Sequence, residues 1–256
     1  MIYVYTSILN GWDNLRPPAV WDVPGVRFVC FTNVAVLPSV EPWEFRPVYY
    51  PSGDTCRTAR LPKILPHLML PEDAEYSIYH DGNLRLSKDP RDVVDRLLIA
   101  HDWAAHRHPC RTCIYQEAKV LLDEKIGTAE LVKREIEGYR QAGYPERAGL
   151  WANGLLVRRH TPAVAALNER WWKLYAAGCE RDQLSFPVAR AAEGLDIQTI
   201  DADIYGSQWV DFFWHAAWWD KNSSIEFHPE RDAIRERLDR LRKITGSDGG
   251  VNYPAY

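Results

Sequence analysis

The feature that most constrains this chain is an alternation of short apolar runs with capped helical stretches. Ile2 to Ile8 and Val26 to Thr32 read as buried strands separated by a polar, proline-containing stretch, and Phe45 to Tyr50 as a third. Such runs interleaved with helices specify an α/β fold with a largely parallel central sheet. Asp54 caps a helix reaching about Leu70, which Pro62 and Pro66 must kink or split. Tyr76 to Tyr79 is a strand running into the polar turn His80-Asp81-Gly82-Asn83, with Leu84-Arg85-Leu86 beyond it. Asp89-Pro90 and Thr161-Pro162 each start a helix with a cap and a proline at the first helical position. The second puts Val164, Leu167, Trp171, Leu174 and Tyr175 on one face and stops at Gly178. Thr112 to Lys125 and Thr128 to Gln141 read as helices, and Ile197 to Ile204 as a strand. An aromatic stretch, Trp209 to Trp219, precedes a charged helix from Pro229 with Ile234, Leu238 and Leu241 at helical spacing.

Nothing in this pattern demands a domain boundary, so residues 1–256 are expected to form one domain. With 46% apolar residues the chain can fill a core without disulfides or a structural metal. A net charge of −4 argues against a dedicated nucleic-acid binder. No apolar run approaches the roughly 18 to 20 residues of a membrane span, so no transmembrane segment is expected. The start, Met1-Ile-Tyr-Val-Tyr, has neither a basic region nor a cleavage site. The five cysteines (30, 56, 110, 113 and 179) are odd in number and scattered. The expectation is a cytoplasmic protein with reduced thiols.

Three stretches carry chemistry. In Tyr76 to Leu86, a carboxylate at the carboxyl end of a buried strand sits where open α/β sheets bind their ligands. Asp81 and Asn83, two apart around a glycine, can turn two oxygen groups onto one cation, or onto a ribose and pyrophosphate; the same residues also make an ordinary hairpin turn. In Asp54 to Lys63, steps of three put Arg57, Arg60 and Lys63 on roughly one helix face, suited to a diphosphate and a sugar hydroxyl or simply to solvent. Asp182 and Gln183, at a helix start, can hold vicinal hydroxyls or supply a base, and an acid there is also what the helix dipole favours.

A rival cluster, His101, His106, His108, Cys110 and Cys113, has zinc-like Cys-x-x-Cys spacing but lacks a second ligand pair, which favours a loop. His67 and His160 have no partner visible in sequence. Trp214, Trp218 and Trp219 suit packing, with an acceptor platform as the competing reading.

Taken together and in order, Asn10-Gly-Trp-Asp13, Phe28-Val-Cys-Phe-Thr32, Asp54-Thr-Cys-Arg-Thr-Ala-Arg60-Leu-Pro-Lys63, Tyr76-Ser-Ile-Tyr-His-Asp81-Gly, His108-Pro-Cys-Arg111-Thr-Cys-Ile-Tyr-Gln-Glu117-Ala and Arg181-Asp-Gln-Leu-Ser-Phe186 resemble the plant mucilage-type and turgor-regulation-type glycosyltransferase-like domain family. More distantly they resemble nucleotide-sugar transferases of the GT-A fold. The resemblance covers about residues 1–190 and implies a Rossmann-like GT-A fold with a mostly parallel sheet flanked by helices. It implies a donor-binding core over 1–190 and an acceptor or closing segment over 191–256.

It further implies that Tyr5, Thr6, Arg57, Arg60, Lys63, His80, Asp81, Asn83 and Arg111 contact the donor, a UDP-sugar being the expected one. Asp81 and Asn83 take the place of the metal-binding Asp-x-Asp turn for Mn²⁺ or Mg²⁺, with His215 as a further ligand. Asn83 replaces a second acid, which makes the metal weak or dispensable. Asp182, Gln183 and Asp81 form the catalytic set, and Glu117 accompanies Arg111 as a pocket residue. The expected activity is transfer of a sugar to a hydroxyl acceptor such as a glycan precursor. The alternatives are a metal-dependent, ceramidase-like amidase using the His101 to Cys113 cluster, and a non-catalytic nucleotide-sugar-binding module.

Overall fold

A computed structural model describes residues 1–33, 40–48, 53–200 and 203–215. The expected helix from Pro229, and Trp218 and Trp219, lie outside the described residues. In chain order the elements are β1 (Ile2–Ser7), β2 (Val26–Thr32), β3 (Trp43–Pro47), α1 (Thr55–Ile64), α2 (Pro66–Met69), β4 (Tyr76–His80), β5 (Leu84–Leu86), α3 (Pro90–Leu97), β6 (Trp103–Arg107), α4 (Ile114–Asp123), α5 (Ala129–Gln141), β7 (Trp151–Arg159), α6 (Pro162–Ala177), α7 (Asp182–Glu193), β8 (Gln198–Ile200) and β9 (Val210–Phe212). The helix after Asp54 is split before Pro66, with Leu65 between its halves, while Pro62 is accommodated inside α1.

Seven strands form one sheet in the order β3-β2-β1-β4-β7-β6-β8, in which only β7 runs against the rest. Strand alternation sends Tyr3, Tyr5, Phe31 and Tyr79 into one core with α1, α6 and α7, and Val4, Phe28, Cys30 and Ile78 into a second core with α3. In the first core Phe186 stacks on Trp103 and lies 4.8 Å from the Trp171 ring, all three fully buried. A third core joins α4, α5 and α7.

Two strands of the seven-stranded sheet were not anticipated. Residues 101–113, expected as a loop, contain β6, and β7 carries no alternation because both of its faces are covered; eight of its nine residues are buried. The register between β6 and β7 slips between Ala105 and His106, leaving residues 153–155 of β7 without partners on β6. Such a slip bends a strand and re-aims its side chains. Here it lies beside the end of β4, where Asp81 N–H donates to the Gly154 carbonyl at 2.8 Å. The small ribbon of β5 and β9 pairs Leu84 with Phe212 and so draws residues 210–215 back to the Asp81 turn.

Candidate functional site

A cavity of about 290 Å³ opens at the carboxyl end of β4. One wall is charged, with Arg60 and Lys63 from α1, Asp81 after β4 and Asp182 at the first turn of α7. Another is aromatic, with Tyr205, Phe212 and Trp214. Asn83, Asn153, Arg181, Gln183 and His215 complete the polar lining.

Lys63 is the hub. Its Nζ lies 3.0 Å from Asp182 Oδ2 and 3.3 Å from Asp81 Oδ1, and Arg60 Nε lies 3.5 Å from Asp182 Oδ1. Burial opposes ionisation of both acids, yet Lys63 and Arg60 outweigh it and hold both carboxyls below the ordinary range, Asp182 most strongly. Burial likewise opposes the charge on Arg60, and Asp182 outweighs it, so the guanidinium binds its proton more tightly than usual. Tyr79 donates to Asp81 Oδ1 at 2.8 Å, and burial and that carboxylate push its own proton affinity up. Gly154 leaves room for the acid: a Cβ there would stand 3.2 Å from Asp81 Oδ2.

Beneath the hub lies Arg158, fully buried, which donates to the Lys63 carbonyl at 2.7 Å and sits over the Trp103 ring at 4.3 Å. It satisfies a carbonyl at the end of α1 that the helix cannot. Asn153 donates to Asp182 Oδ2 at 3.4 Å, while its own Oδ1 is buried without a hydrogen-bond partner among the described residues. Neither residue was singled out in the sequence, because both stand on the unrecognised strand β7.

Other expected site residues lie elsewhere. Arg57 turns back to its cap Asp54 and to the carbonyls of Ala176 and Gly178, so it closes the end of α6 and does not line the cavity. Tyr5 and Thr6 are core residues; the Tyr5 ring packs on Tyr79 at 5.3 Å and its hydroxyl is 3.4 Å from Arg158. Along β4, Tyr79 and Asp81 share a face, so His80 points the other way, against Trp43, with Nδ1 3.0 Å from the Asp81 carbonyl. Arg111 binds the buried Glu117 at 2.5 Å and His108 at 3.2 Å, outside the cavity lining.

The rival cluster does not converge. His106 Nε2 is 3.1 Å from Ser207, His108 Nδ1 accepts the Cys110 and Arg111 amides, and Cys113 is buried at the residue before α4. Among the described residues no three His, Cys, Asp or Glu side chains group as a metal cage. The three expected cation ligands, Asp81, Asn83 and His215, all line the cavity; Asp81 Oδ1 is engaged by Lys63 and Tyr79, and His215 Nδ1 lies 2.8 Å from Asp13 Oδ1.

Comparison with known proteins gives three results. Residues 47–199, more than half of the chain, match the family model described as TOD1/MUCI70, glycosyltransferase-like domain. A relative from Arabidopsis thaliana, "Probable hexosyltransferase MUCI70", is 27% identical over 156 residues, 55% of this chain and 26% of that protein. The chain thus spans about a quarter of the length of this relative. The crystal structure of mouse xyloside xylosyltransferase 1, apo form, aligns with a TM-score of 0.45 at 12% identity, over 79% of this chain and 86% of that one.

Proposed function

Because the chain belongs to the TOD1/MUCI70 glycosyltransferase-like domain family, we propose that it transfers a sugar from a nucleotide-sugar donor, a UDP-sugar first among candidates, to a hydroxyl acceptor. The observation that carries the reading is the charged wall: two cations and two carboxylates converge on one cavity at the carboxyl end of β4. The position is that of ligand sites in open α/β sheets, and the charges match a donor with an anionic diphosphate and a hydroxylated sugar.

Arg60 and Lys63 would face the charge that develops on the diphosphate as the anomeric carbon–oxygen bond breaks, where fixed cations act most strongly. Asp81, Asn83 and His215 would hold Mn²⁺ or Mg²⁺, which when bound neutralises the same diphosphate. Asp182, Asn153 and Gln183 would bind the sugar hydroxyls, with the unpaired Asn153 oxygen accepting one of them. Asp182 suits that task better than proton abstraction, because two cations hold it ionised and make it a weak base. Tyr205, Phe212 and Trp214 offer ring faces to the acceptor. The amidase reading loses its support because no three His, Cys, Asp or Glu side chains, those of the His101 to Cys113 stretch included, group as a metal site among the described residues.

Thermal-shift measurements with UDP-, GDP- and CMP-sugars, with and without Mn²⁺, test donor binding through its stabilisation of the folded chain. Specific stabilisation by one nucleotide, followed by release of its diphosphate with an acceptor present, is the expected result. Stabilisation without turnover would favour the binding-module reading. No stabilisation by any of them would overturn the proposal.

A further inference from the structure

The aromatic wall of the cavity depends on a segment with little regular structure of its own. Strand β9 is three residues long and belongs to a two-stranded ribbon with β5. A ribbon of this size is marginal in water without outside support. Side chains alternate along it: Phe212 and Trp214 line the cavity, whereas Asp211 and Phe213 do not. A slip of one residue would exchange the two sets, so the register decides what the cavity presents. Val210, buried in the second core, anchors the start of the segment.

Its far end is fixed from the outer side. Asp211 stands directly across the ribbon from Arg85 and accepts from Arg85 Nε at 2.9 Å and Nη2 at 2.6 Å. Phe213 N–H donates to the Asn83 carbonyl at 2.8 Å, which carries the pairing one residue beyond β9. The Phe213 ring meets two guanidiniums, with Arg16 4.1 Å and Arg85 5.6 Å from its centroid. Both distances lie within the range of cation–π attraction. Arg16 belongs to the loop after β1, and Trp43 Nε1 holds its carbonyl at 2.9 Å. Burial is the main cause that lowers the proton affinity of Arg16; Asp13 opposes this and Arg85 adds to it. Two cations gathered here repel each other, and the negative face of the ring offsets that repulsion.

We propose that Phe213 is a positioning residue for the acceptor: clamped by Arg16 and Arg85, it keeps the segment in the register that turns Phe212 and Trp214 into the cavity. The rings of the wall brace one another edge to face, Tyr205 and Phe212 at 4.8 Å and Phe212 and Trp214 at 5.1 Å, so a shift in one displaces the others. Such a wall suits the C–H face of a sugar ring, which makes a glycoside the class of acceptor. The inference rests on reading the wall as the acceptor surface, but the clamp is testable with no substrate present.

The test uses the full chain labelled with fluorotryptophan and read by fluorine NMR, with Trp214 assigned by its loss in Trp214→Phe. Phe213→Ala is expected to move the Trp214 signal and to leave those of the buried Trp103 and Trp171 in place. Phe213→Tyr should restore the Trp214 signal, and Arg16→Gln should shift it by less than Phe213→Ala does. Phe213→Leu keeps bulk without a ring face and serves if the alanine variant fails to fold. The methyl glycosides of glucose, galactose and xylose are the acceptor probes. At least one should perturb Trp214 in the unsubstituted protein, and that response should be lost in Phe213→Ala while UDP affinity by calorimetry stays within twofold. A Trp214 signal indifferent to Phe213 would overturn the proposal, as would a loss of UDP affinity equal to the loss of glycoside response. A Trp214 signal that follows Phe213 but ignores every glycoside would overturn the acceptor reading of the wall and leave the clamp standing.

Discussion

Lys63 Nζ lies 3.0 Å from Asp182 Oδ2, and the two side chains are 3% and 5% exposed. Charges this closed to water are neutralised by one another, through this pair and through Asp81 and Arg60 beside it. Lys63→Met should deprive Asp182 of its nearest cation and leave Asp81 short of its own, costing about 3–5 kcal/mol in urea unfolding. The double variant Lys63→Met/Asp182→Asn should recover much of that stability and remain unable to release nucleotide. Equal instability of the single and double variants would mean that Lys63 acts by packing.

The titration behaviour of the buried groups sets the pH response. Burial is the main cause that lowers the proton affinity of His108 and His160, each to about 4. The unfolded chain takes up these protons near pH 6.5 and the folded chain does not, so stability must fall as pH drops from about 6.5 toward 4, by at most on the order of 3 kcal/mol for each histidine. Asp81 and Asp182, with folded values below the ordinary carboxylate range, add a loss that begins only below about pH 4. Urea midpoints measured from pH 7 to 3.5 should decline in these two stages. A rise between pH 7 and 5 would contradict the assignment.

Gly154→Ala separates fold from site. Its Cβ would meet Ile204 Cδ1 at 2.7 Å, which a flexible chain end can yield, and Asp81 Oδ2 at 3.2 Å, which is held by Lys63 and Tyr79 through its sister oxygen. The expected outcome is a loss of about 1–3 kcal/mol in stability with a larger proportional loss in donor binding by calorimetry. Unchanged donor affinity would remove Asp81 from the donor site.

Arg111→Ala should do the reverse. Glu117 is 1% exposed, and its remaining cation, Arg181, stands 4.0 Å away. Stability should fall by about 3–5 kcal/mol, while donor affinity, measured well below the melting temperature, stays within twofold. A selective loss of donor affinity would return Arg111 to the pocket.

Much of this architecture was legible in the chain. The Asp54, Asp89 and Thr161 caps marked helix starts because each side chain accepts a hydrogen bond from the first turn, an interaction confined to three or four residues. Spacing also placed Arg60 and Lys63 on one helix face, and both reach the cavity. Arg57, one step earlier, does not, because the end of α6 lies within its reach and takes it. Helical spacing gives direction and says nothing of what stands opposite.

The sequence by itself determined the elements whose signals are local: capped helices, the apolar strands β1, β2 and β4, and the polar turn at Asp81. Only the tertiary structure decided the site. Asn153 enters it, and Arg158 supports it from beneath, on a reversed strand buried on both faces, whose uniform burial erases periodicity. His215 enters it through the pairing of Leu84 with Phe212, and Asp13 reaches His215 across 202 residues. Such contacts depend on which strands pair and which loops close over them, a choice made by the burial of the whole chain and written in no single stretch of it.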